Sequence, residues 1–396
     1  MDANPGQGRV LAYVVEYEPK GFVVVSGDDQ LDPIVVFSVE SGFRWDQPER
    51  NFFRYFMGTT MTLSFKCIDE NAQKGLKPEV HPNWEKLRVK IAQGQMLEEA
   101  LFEAEPIYVL WKTALWDQCD YYNDTVSANN GNNDCVPTGC VATAMAIKMR
   151  FHEWPGKGNS FHGYHDPCLG YDHSVIFGDQ TYKWEDMPTW NLTQANAHVA
   201  DLMYHAGVAV NMCYGDACCP GGVASLANTL DAATALNDYF GYIETERRTS
   251  DHFDHMKNSI RAGLPVQVAS DGHSLLADGY RETESPYWHV NCGWSGLCNG
   301  WYNLSDFPHI PCIGGVVYRS CTYGQPSNYV YVDKDYTDSE SGTVKKPYNT
   351  LAEGYTNCLS SGHLWLKGPK TYIASPMVLS KKMTIHSYEG NALVEY

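Results

Sequence analysis

The sequence lacks the features of membrane-spanning and nucleic-acid-binding proteins. Its 396 residues contain no run approaching the roughly 20 apolar residues that a membrane helix needs, so the sequence predicts a soluble protein. No segment is rich in lysine and arginine, and the net charge is −18. Because a phosphate backbone requires a concentrated basic patch, we exclude nucleic acid as the main partner.

Two further absences concern the N-terminus and the cysteines. The residues from Met1 to Gly6 have neither a basic segment nor an apolar core, and they predict no signal peptide. The 13 cysteines form no paired CxxC motif of the kind that holds structural zinc, so we expect no metal or cofactor. This odd, high count fits one unpaired thiol and several disulfides in a secreted or extracellular protein. A cytosolic protein with many reduced thiols is the alternative.

The texture of the chain divides it into three regions, as its length suggests. Residues 1–105 combine short β-rich segments with helical patterns and end in a linker. Residues 106–325 begin with helices and continue with strands, which predicts an α+β domain with two segregated halves. Residues 326–396 are β-rich, and their spacing resembles the start of a parallel β-helix.

Hydrophobic periodicity and turn residues give the individual elements. In the first region we predict strands at 10–16, 21–26 and 33–39 and helices at 50–65 and 85–104. In the second we predict helices at 140–152, 193–210 and 222–239 and strands at 265–270, 274–280, 288–294 and 301–304. In the third we predict strands at 329–332, 364–366 and 383–385.

Cys140 is the candidate nucleophile. It directly follows Gly139 and opens the helical segment that ends before Trp154-Pro155. Glycine permits a sharp turn, and the helix start directs free N–H groups and the positive end of its dipole at the sulfur. This arrangement lowers the pKa of a thiol and favours the thiolate. A buried structural cysteine is the alternative, and it is the better interpretation for most of the other cysteines.

His273 is the candidate base. If the segments before and after the following reversal pair antiparallel, His273 faces Asn291 or Cys292. An asparagine carbonyl beside a histidine can hold the imidazole in its productive tautomer. The competing residue is His289, which the same register places opposite Leu276 and which we interpret as packed.

These segments together resemble the streptopain family of papain-like cysteine peptidases. Residues 138–145 look like the nucleophile motif of that family, and residues 182–188 are similar to its Trp-x-x-Met-Pro segment. Gly272-His273 and residues 289–294 look like the catalytic histidine and the strand that bears the asparagine. The likeness spans about residues 107–320 and keeps the order of the family.

The resemblance implies a fold and a set of roles. The fold is a papain-like peptidase of two subdomains, preceded by a small α+β prodomain and followed by the β-rich segment. Cys140 would be the nucleophile, His273 the acid and base, and Asn291 its orienting residue. Gln118, in the segment ahead of the nucleophile, would join the Cys140 N–H as an oxyanion donor. The family has tryptophan where this chain has Cys292.

The N-terminal region resembles the prodomain of the same family. The resemblance rests on the segment 21–29 followed by Pro33-Ile34. It implies an endopeptidase made as a zymogen, in which the prodomain is an intramolecular inhibitor until the chain is cut between about Lys86 and Glu105. The substrates would be proteins or peptides. A catalytically silent binding or adhesion protein that uses the C-terminal segment is the alternative function, and an inhibitor of another peptidase is a weaker one.

Overall fold

The computed structural model describes residues 10–16, 20–43, 65–66, 68–69, 72–75, 77–94, 107–110, 113–219, 222–249, 252–270, 273–282, 287–303, 318–374, 378 and 380–395. The helix predicted at 50–65 and the end of the one predicted at 85–104 lie almost wholly outside these ranges. Within them, no helix combines the length and the apolar character needed to cross a membrane.

The helices of the described residues lie mostly in the middle region. They are α1 (Pro82–Ala92), α2 (Asp124–Asn129), α3 (Cys140–His152), α4 (Ala197–Ala209), α5 (Asp231–Phe240), α6 (His252–Arg261) and α7 (Leu351–Asn357). The prediction for α3 is confirmed residue for residue. This helix ends where Glu153 takes the left-handed conformation, with φ 49°, ahead of Trp154-Pro155.

The strands occupy all three regions. They are β1 (Ala12–Glu16), β2 (Phe22–Ser26), β3 (Ile34–Ser38), β4 (Ile107–Val109), β5 (His162–His165), β6 (Asp172–Val175), β7 (Tyr242–Arg248), β8 (Val266–Ser270), β9 (His273–Arg281), β10 (Tyr287–Asn291), β11 (Gly300–Asn303), β12 (Tyr318–Pro326), β13 (Tyr329–Val332), β14 (His363–Lys367), β15 (Lys370–Ile373), β16 (Thr384–Tyr388) and β17 (Ala392–Glu395). The predicted strands of the first two regions therefore form, with small shifts at their ends.

One antiparallel sheet joins the N-terminal region to the peptidase-like region. Its strand order is β1-β2-β3-β11-β10-β9-β8-β12-β7, with β4 paired to β9. The junction is the pairing of β3 with β11, where Phe37 lies opposite Trp301 and Val36 opposite Tyr302. The N-terminal strands thus extend the sheet that carries His273.

The helical half packs around α3. Nearly every residue of α3 is buried, because small alanine side chains let α4 and the sheet approach it closely. One apolar cluster unites α3, α4 and α5, and a second covers the sheet. The two halves meet at the N-terminus of α3, so Cys140 lies at their junction with β9.

The helix predicted at 222–239 is shorter than expected. It begins at Asp231, because the preceding residues form a β-bridge and a turn instead of a helix. Leu226 bridges to Cys213, and the Asn228 side chain accepts the N–H of Leu230, which stabilises a turn before α5. Residues 222–230 therefore line a loop that returns toward residues 213–219.

The C-terminal region forms two layers of parallel strands. One layer has the order β13-β14-β16, and the other pairs β15 with β17. This parallel pairing agrees with the predicted β-helix-like segment. The segment packs against the peptidase-like region, where the Tyr331 hydroxyl donates to the Ala262 carbonyl at 2.8 Å and Trp365 lies against Gly263.

Candidate active site

The turn before Cys140 requires glycine. Gly139 has φ 86°, in the left-handed region that other residues adopt with strain. A Cβ atom there would also lie 2.6 Å from the Met212 side chain. The turn leaves Cys140 half-buried as the first residue of α3. Glycine is therefore needed for both the backbone angle and the space.

The Cys140 sulfur lies next to the start of β9. The Ser274 N–H donates to Cys140 Sγ at 3.3 Å, which brings the residue after His273 into contact with the candidate nucleophile. Burial raises the pKa of the Cys140 thiol, and the N–H groups of Ser274, Val141 and Cys140 oppose this effect. In the chain that retains its N-terminal unit, burial therefore disfavours the thiolate of Cys140.

His273 is buried and held in one orientation. Its Nε2 lies 3.0 Å from the Cys292 carbonyl, which accepts only, so Nε2 carries a proton. The ring packs against Trp294, with 4.6 Å between the centroids. Burial lowers the pKa of His273 to about 4, although the Cys292 carbonyl acts in the opposite direction. The ring is therefore neutral, with Nδ1 as its basic nitrogen.

The backbone carbonyl of Cys292 was not among the predicted site groups. It contacts His273 in the manner that we had assigned to an asparagine side chain. A sequence pattern reports side chains, so a carbonyl with this role leaves no signal in it. The unusual residue type at position 292 does not alter this contact, because the contact is made by the backbone.

The predicted register of β9 and β10 was wrong. Asn291 lies opposite Leu276, and His289 lies opposite Gly279 rather than Leu276. The reversal is centred later than we assumed, and a β-bulge near Asp278 shifts the pairing again. His273 consequently extends past the end of the β10 ladder, where it meets Trp294 and the Cys292 carbonyl.

Asn291 is buried and supports the neighbouring segments. Its Nδ2 donates to the Ala114 carbonyl at 2.9 Å, and its Oδ1 accepts the Gly293 N–H at 3.0 Å. These bonds hold the chain that leads to Gln118 and the turn that carries Trp294. A direct contact between Asn291 and His273 stays a prediction.

Gln118 is half-buried and lies close to the nucleophile turn. Its carbonyl accepts the Thr138 N–H at 2.9 Å, two residues before Cys140. The next residue, Cys119, forms a disulfide with Cys218. The backbone of Gln118 is thereby fixed beside the turn, and the role of its side chain as an oxyanion donor stays a prediction.

Three disulfides connect the segment before Cys140 and a neighbouring hairpin to the loop at 213–219. They are Cys119–Cys218, Cys135–Cys219 and Cys168–Cys213. Among the described residues, one group has the proximity of a metal site, Asp166 with Cys168 and Cys213. Because its two sulfurs are joined in a disulfide, this group offers a single carboxylate and does not suit a metal ion.

Comparison with known families places two parts of the chain. Residues 116–302 match the Peptidase C10 family, and residues 3–60 match the Spi protease inhibitor family. The first match contains Cys140, His273, Asn291 and Gln118. The second lies within the region that resembles a prodomain.

The relatives agree with these matches. Streptopain of Streptococcus pyogenes is 26% identical over 322 residues, which cover 74% of this chain and 73% of streptopain. The thiol protease/hemagglutinin PrtT of Porphyromonas gingivalis is 27% identical over 308 residues, which cover 73% of this chain but only 33% of PrtT.

A solved structure shares the arrangement of both regions. A fragment of prointerpain A from Prevotella intermedia aligns with a TM-score of 0.58 and 25% identity, covering 80% of this chain and 96% of the fragment. These findings confirm the predicted family, the α+β fold and the inhibitor-like N-terminal unit. Residues 116–302 belong to the Peptidase C10 family, the streptopain family of papain-like cysteine peptidases, and an inhibitor-like unit precedes them.

Proposed function

We propose that this chain is the zymogen of a cysteine endopeptidase with Cys140 as its nucleophile and His273 as its acid and base. One observation carries the proposal. The Cys140 sulfur is at the start of a buried helix and accepts the N–H of the residue that follows His273. A free thiol lies there at a helix N-terminus, and the residue that precedes Ser274 supplies the neutral imidazole that thiol proteolysis requires.

The reaction follows from the Cys140 thiol, the His273 imidazole and the N–H donors near them. Nδ1 of His273 takes the Cys140 proton, and the thiolate attacks the peptide carbonyl. The Cys140 N–H and the Gln118 side chain stabilise the oxyanion, and the imidazolium then protonates the leaving amine. Water hydrolyses the thioester with His273 acting as base. Asn291 supports the segment before Gln118 and the turn that carries Trp294.

Latency is assigned to the N-terminal unit. We take residues 1–105 as the inhibitory prodomain and linker, 106–325 as the peptidase and 326–396 as an appended β-rich segment. A raised thiol pKa and a lowered histidine pKa disfavour the reactive thiolate–imidazolium pair, which fits an inhibited form. Cleavage between residues 86 and 105 would allow the prodomain to dissociate.

The disulfides are the basis for assigning the cellular location of the enzyme. Three disulfides in the peptidase region favour an oxidising compartment, so we assign the enzyme to the outside of the cell. Its substrates are then extracellular proteins and peptides.

Mass spectrometry of three forms tests the proposal: wild type, Cys140→Ala, and Cys358→Ala, which removes a buried free thiol of the C-terminal region. Each form is incubated with reductant, with and without an epoxysuccinyl inhibitor. We expect wild type and Cys358→Ala to lose a segment ending between residues 86 and 105 and to bind one inhibitor on Cys140. Intact, unlabelled wild type, even after another protease removes the N-terminal unit, would overturn the proposal and favour the binding-protein alternative.

A further inference from the structure

A second buried histidine lies on the strand that follows β9. His289, on β10, is 4% exposed. Its Nδ1 is 2.5 Å from Asp278 Oδ1, and its Nε2 is bonded to the carboxylate of Glu40. Ionised carboxylates accept hydrogen bonds and do not donate them, so both ring nitrogens carry protons and the ring is an imidazolium.

The β-bulge of β9 aims Asp278 at this ring. Gly279 pairs with His289 and Ala277 with Val290, so Asp278 is the extra residue and its side chain is redirected. Asp278 is 1% exposed, and its Oδ2 accepts the Thr113 hydroxyl at 2.5 Å. A buried charge in such a position needs compensation, which His289 and Thr113 provide.

Glu40 reaches the ring from another part of the chain. It belongs to the N-terminal unit, 249 residues from His289, and its side chain remains 41% exposed. It enters a cavity of about 280 Å³ whose walls include Leu115 and the largely exposed Trp190. The Glu40 carboxylate therefore approaches from the solvent side and is the removable member of the cluster.

The charges of the cluster are present at neutral pH. Burial disfavours the charged ring, but Asp278 and Glu40 raise the pKa of His289 to about 10. The bond to His289 is the main reason that the pKa of Glu40 is lowered, and Lys20 adds to it. The His289 imidazolium and the Glu40 carboxylate thus coexist at neutral pH.

We propose that His289, Asp278 and Thr113 form a carboxylate-binding subsite of the peptidase, which Glu40 fills in the uncleaved chain and an acidic peptide side chain fills after processing. The proposal rests on the proposed function for its substrate. Removal of the N-terminal unit takes away Glu40 but leaves the ring, its buried counter-charge and the cavity. The freed Nε2–H then points at a space that a glutamate carboxylate has already been shown to fit.

The subsite is connected to the catalytic segments. Asn291 Nδ2 lies 3.4 Å from Thr113 Oγ1, and it also bonds the Ala114 carbonyl. From there the chain continues through Leu115, which is exposed, to Gln118. A peptide side chain in the cavity would therefore lie along the segment that leads to the proposed oxyanion donor.

Binding is tested first without catalysis, in the uncleaved Cys140→Ala chain. Glu40→Ala empties the cavity, Glu40→Gln fills it without charge, and Glu16→Ala alters an exposed glutamate of β1 as the matched control. The probe is N-acetylglutamate α-amide, with the corresponding glutamine derivative as the neutral control. Ring nitrogen NMR at pH 8 reports the protonation of His289.

The proposal expects three results from this experiment. His289 is an imidazolium in the parent and in Glu16→Ala, and it loses much of that character in Glu40→Ala. Only the carboxylate probe restores it, saturably, and only in Glu40→Ala. A ring that ignores the probe, or responds equally to the glutamine derivative, would overturn the proposal. If Glu40→Ala does not fold, Glu40→Gln replaces it in the test. A His289 ring that remains fully charged in folded Glu40→Gln would overturn the proposal.

The processed enzyme provides the second measurement. Peptides that differ only by Glu or Gln at one position are compared by kcat/KM. We expect Glu to be preferred by about tenfold at one position, as a charged hydrogen bond predicts, and the ratio of kcat/KM for the Glu and Gln peptides to fall to about one in His289→Gln. A preference that survives His289→Gln, or no preference at any position, would contradict the subsite. An enzyme inactive on every peptide but bound by the probe would instead contradict the proposed function.

Discussion

Lys148 is a buried cation in the helix that begins with Cys140. It lies about two turns along α3 and is 0% exposed. Its Nζ donates to the Thr322 carbonyl at 3.4 Å and lies 5.8 Å from the Tyr242 ring centroid. In the part of the chain that the structure describes, it has no ion-pair partner. Burial alone lowers the pKa of Lys148 to about 7.

This pKa predicts a dependence of stability on pH. An unfolded lysine has a pKa near 10.5, so between pH 7 and 10.5 the unfolded chain binds a proton that the native chain does not. Stability therefore rises with pH across this window, and the full cost of the buried charge remains below pH 7. The gap between the pKa values of about 7 and 10.5 corresponds to about 4 to 5 kcal/mol of unfolding free energy, of which about 2 to 3 kcal/mol is recovered between pH 6 and pH 9.

The substitution Lys148→Met tests this argument in the Cys140→Ala background. Methionine keeps the length of the side chain and removes its charge. We expect the variant to be more stable at both pH values in urea denaturation, by about 2 to 3 kcal/mol more at pH 6 than at pH 9. Lys183→Met, at an exposed lysine, is the control and should show no such difference. An equal effect of Lys148→Met at both pH values would refute the reasoning.

Two further predictions concern the nucleophile. Gly139→Ala should lower the free energy of unfolding by at least about 1 kcal/mol, because φ is positive at this residue and Met212 occupies the space that a Cβ atom would need. The same substitution should slow inhibitor labelling of Cys140. A variant as stable and as reactive as wild type would contradict the requirement for glycine in this turn. In the full-length chain, iodoacetamide labelling of Cys140 should be slow at pH 7 and rise beyond pH 9, because the thiol pKa is raised. Removing the N-terminal unit should shift the pH dependence of labelling to lower pH, which mass spectrometry of the labelled peptide would measure. An unchanged pH dependence would show that the N-terminal unit does not inhibit by raising the thiol pKa.

Local features of the sequence predicted the helix of the nucleophile. A glycine that permits the turn, an apolar run of small residues and a Trp154-Pro155 stop all act within one segment, so α3 was predicted from Cys140 to His152. The strands of the sheet were predicted for the same reason, since alternation and turn residues are local. Family resemblance supplied the role of Gln118, which no local pattern gives, and it agreed with the role that the expected register had suggested for Asn291.

The remainder depends on contacts between distant residues. The bulge at Asp278 shifts the register between β9 and β10, and it depends on contacts between the paired strands. Counting residues outward from the expected turn therefore cannot predict this register. The bond from Glu40 to His289 spans 249 residues, and we had interpreted His289 only as a packed residue. The Cys292 carbonyl orients His273 through the backbone, which no residue type reveals.

Because β3 pairs with β11, cleavage of the linker and dissociation of the N-terminal unit are two separate steps. A break in the linker leaves the ladder intact, together with the Phe37–Trp301 contact and the bond from the Tyr287 hydroxyl to the Ile34 carbonyl. What the cut changes is the effective concentration of the N-terminal unit, which falls from that of a tethered segment to its concentration in solution. A cleaved chain should therefore remain a non-covalent complex until dilution or a competing ligand causes the N-terminal unit to dissociate. The rate of this dissociation then limits the rate at which active enzyme forms.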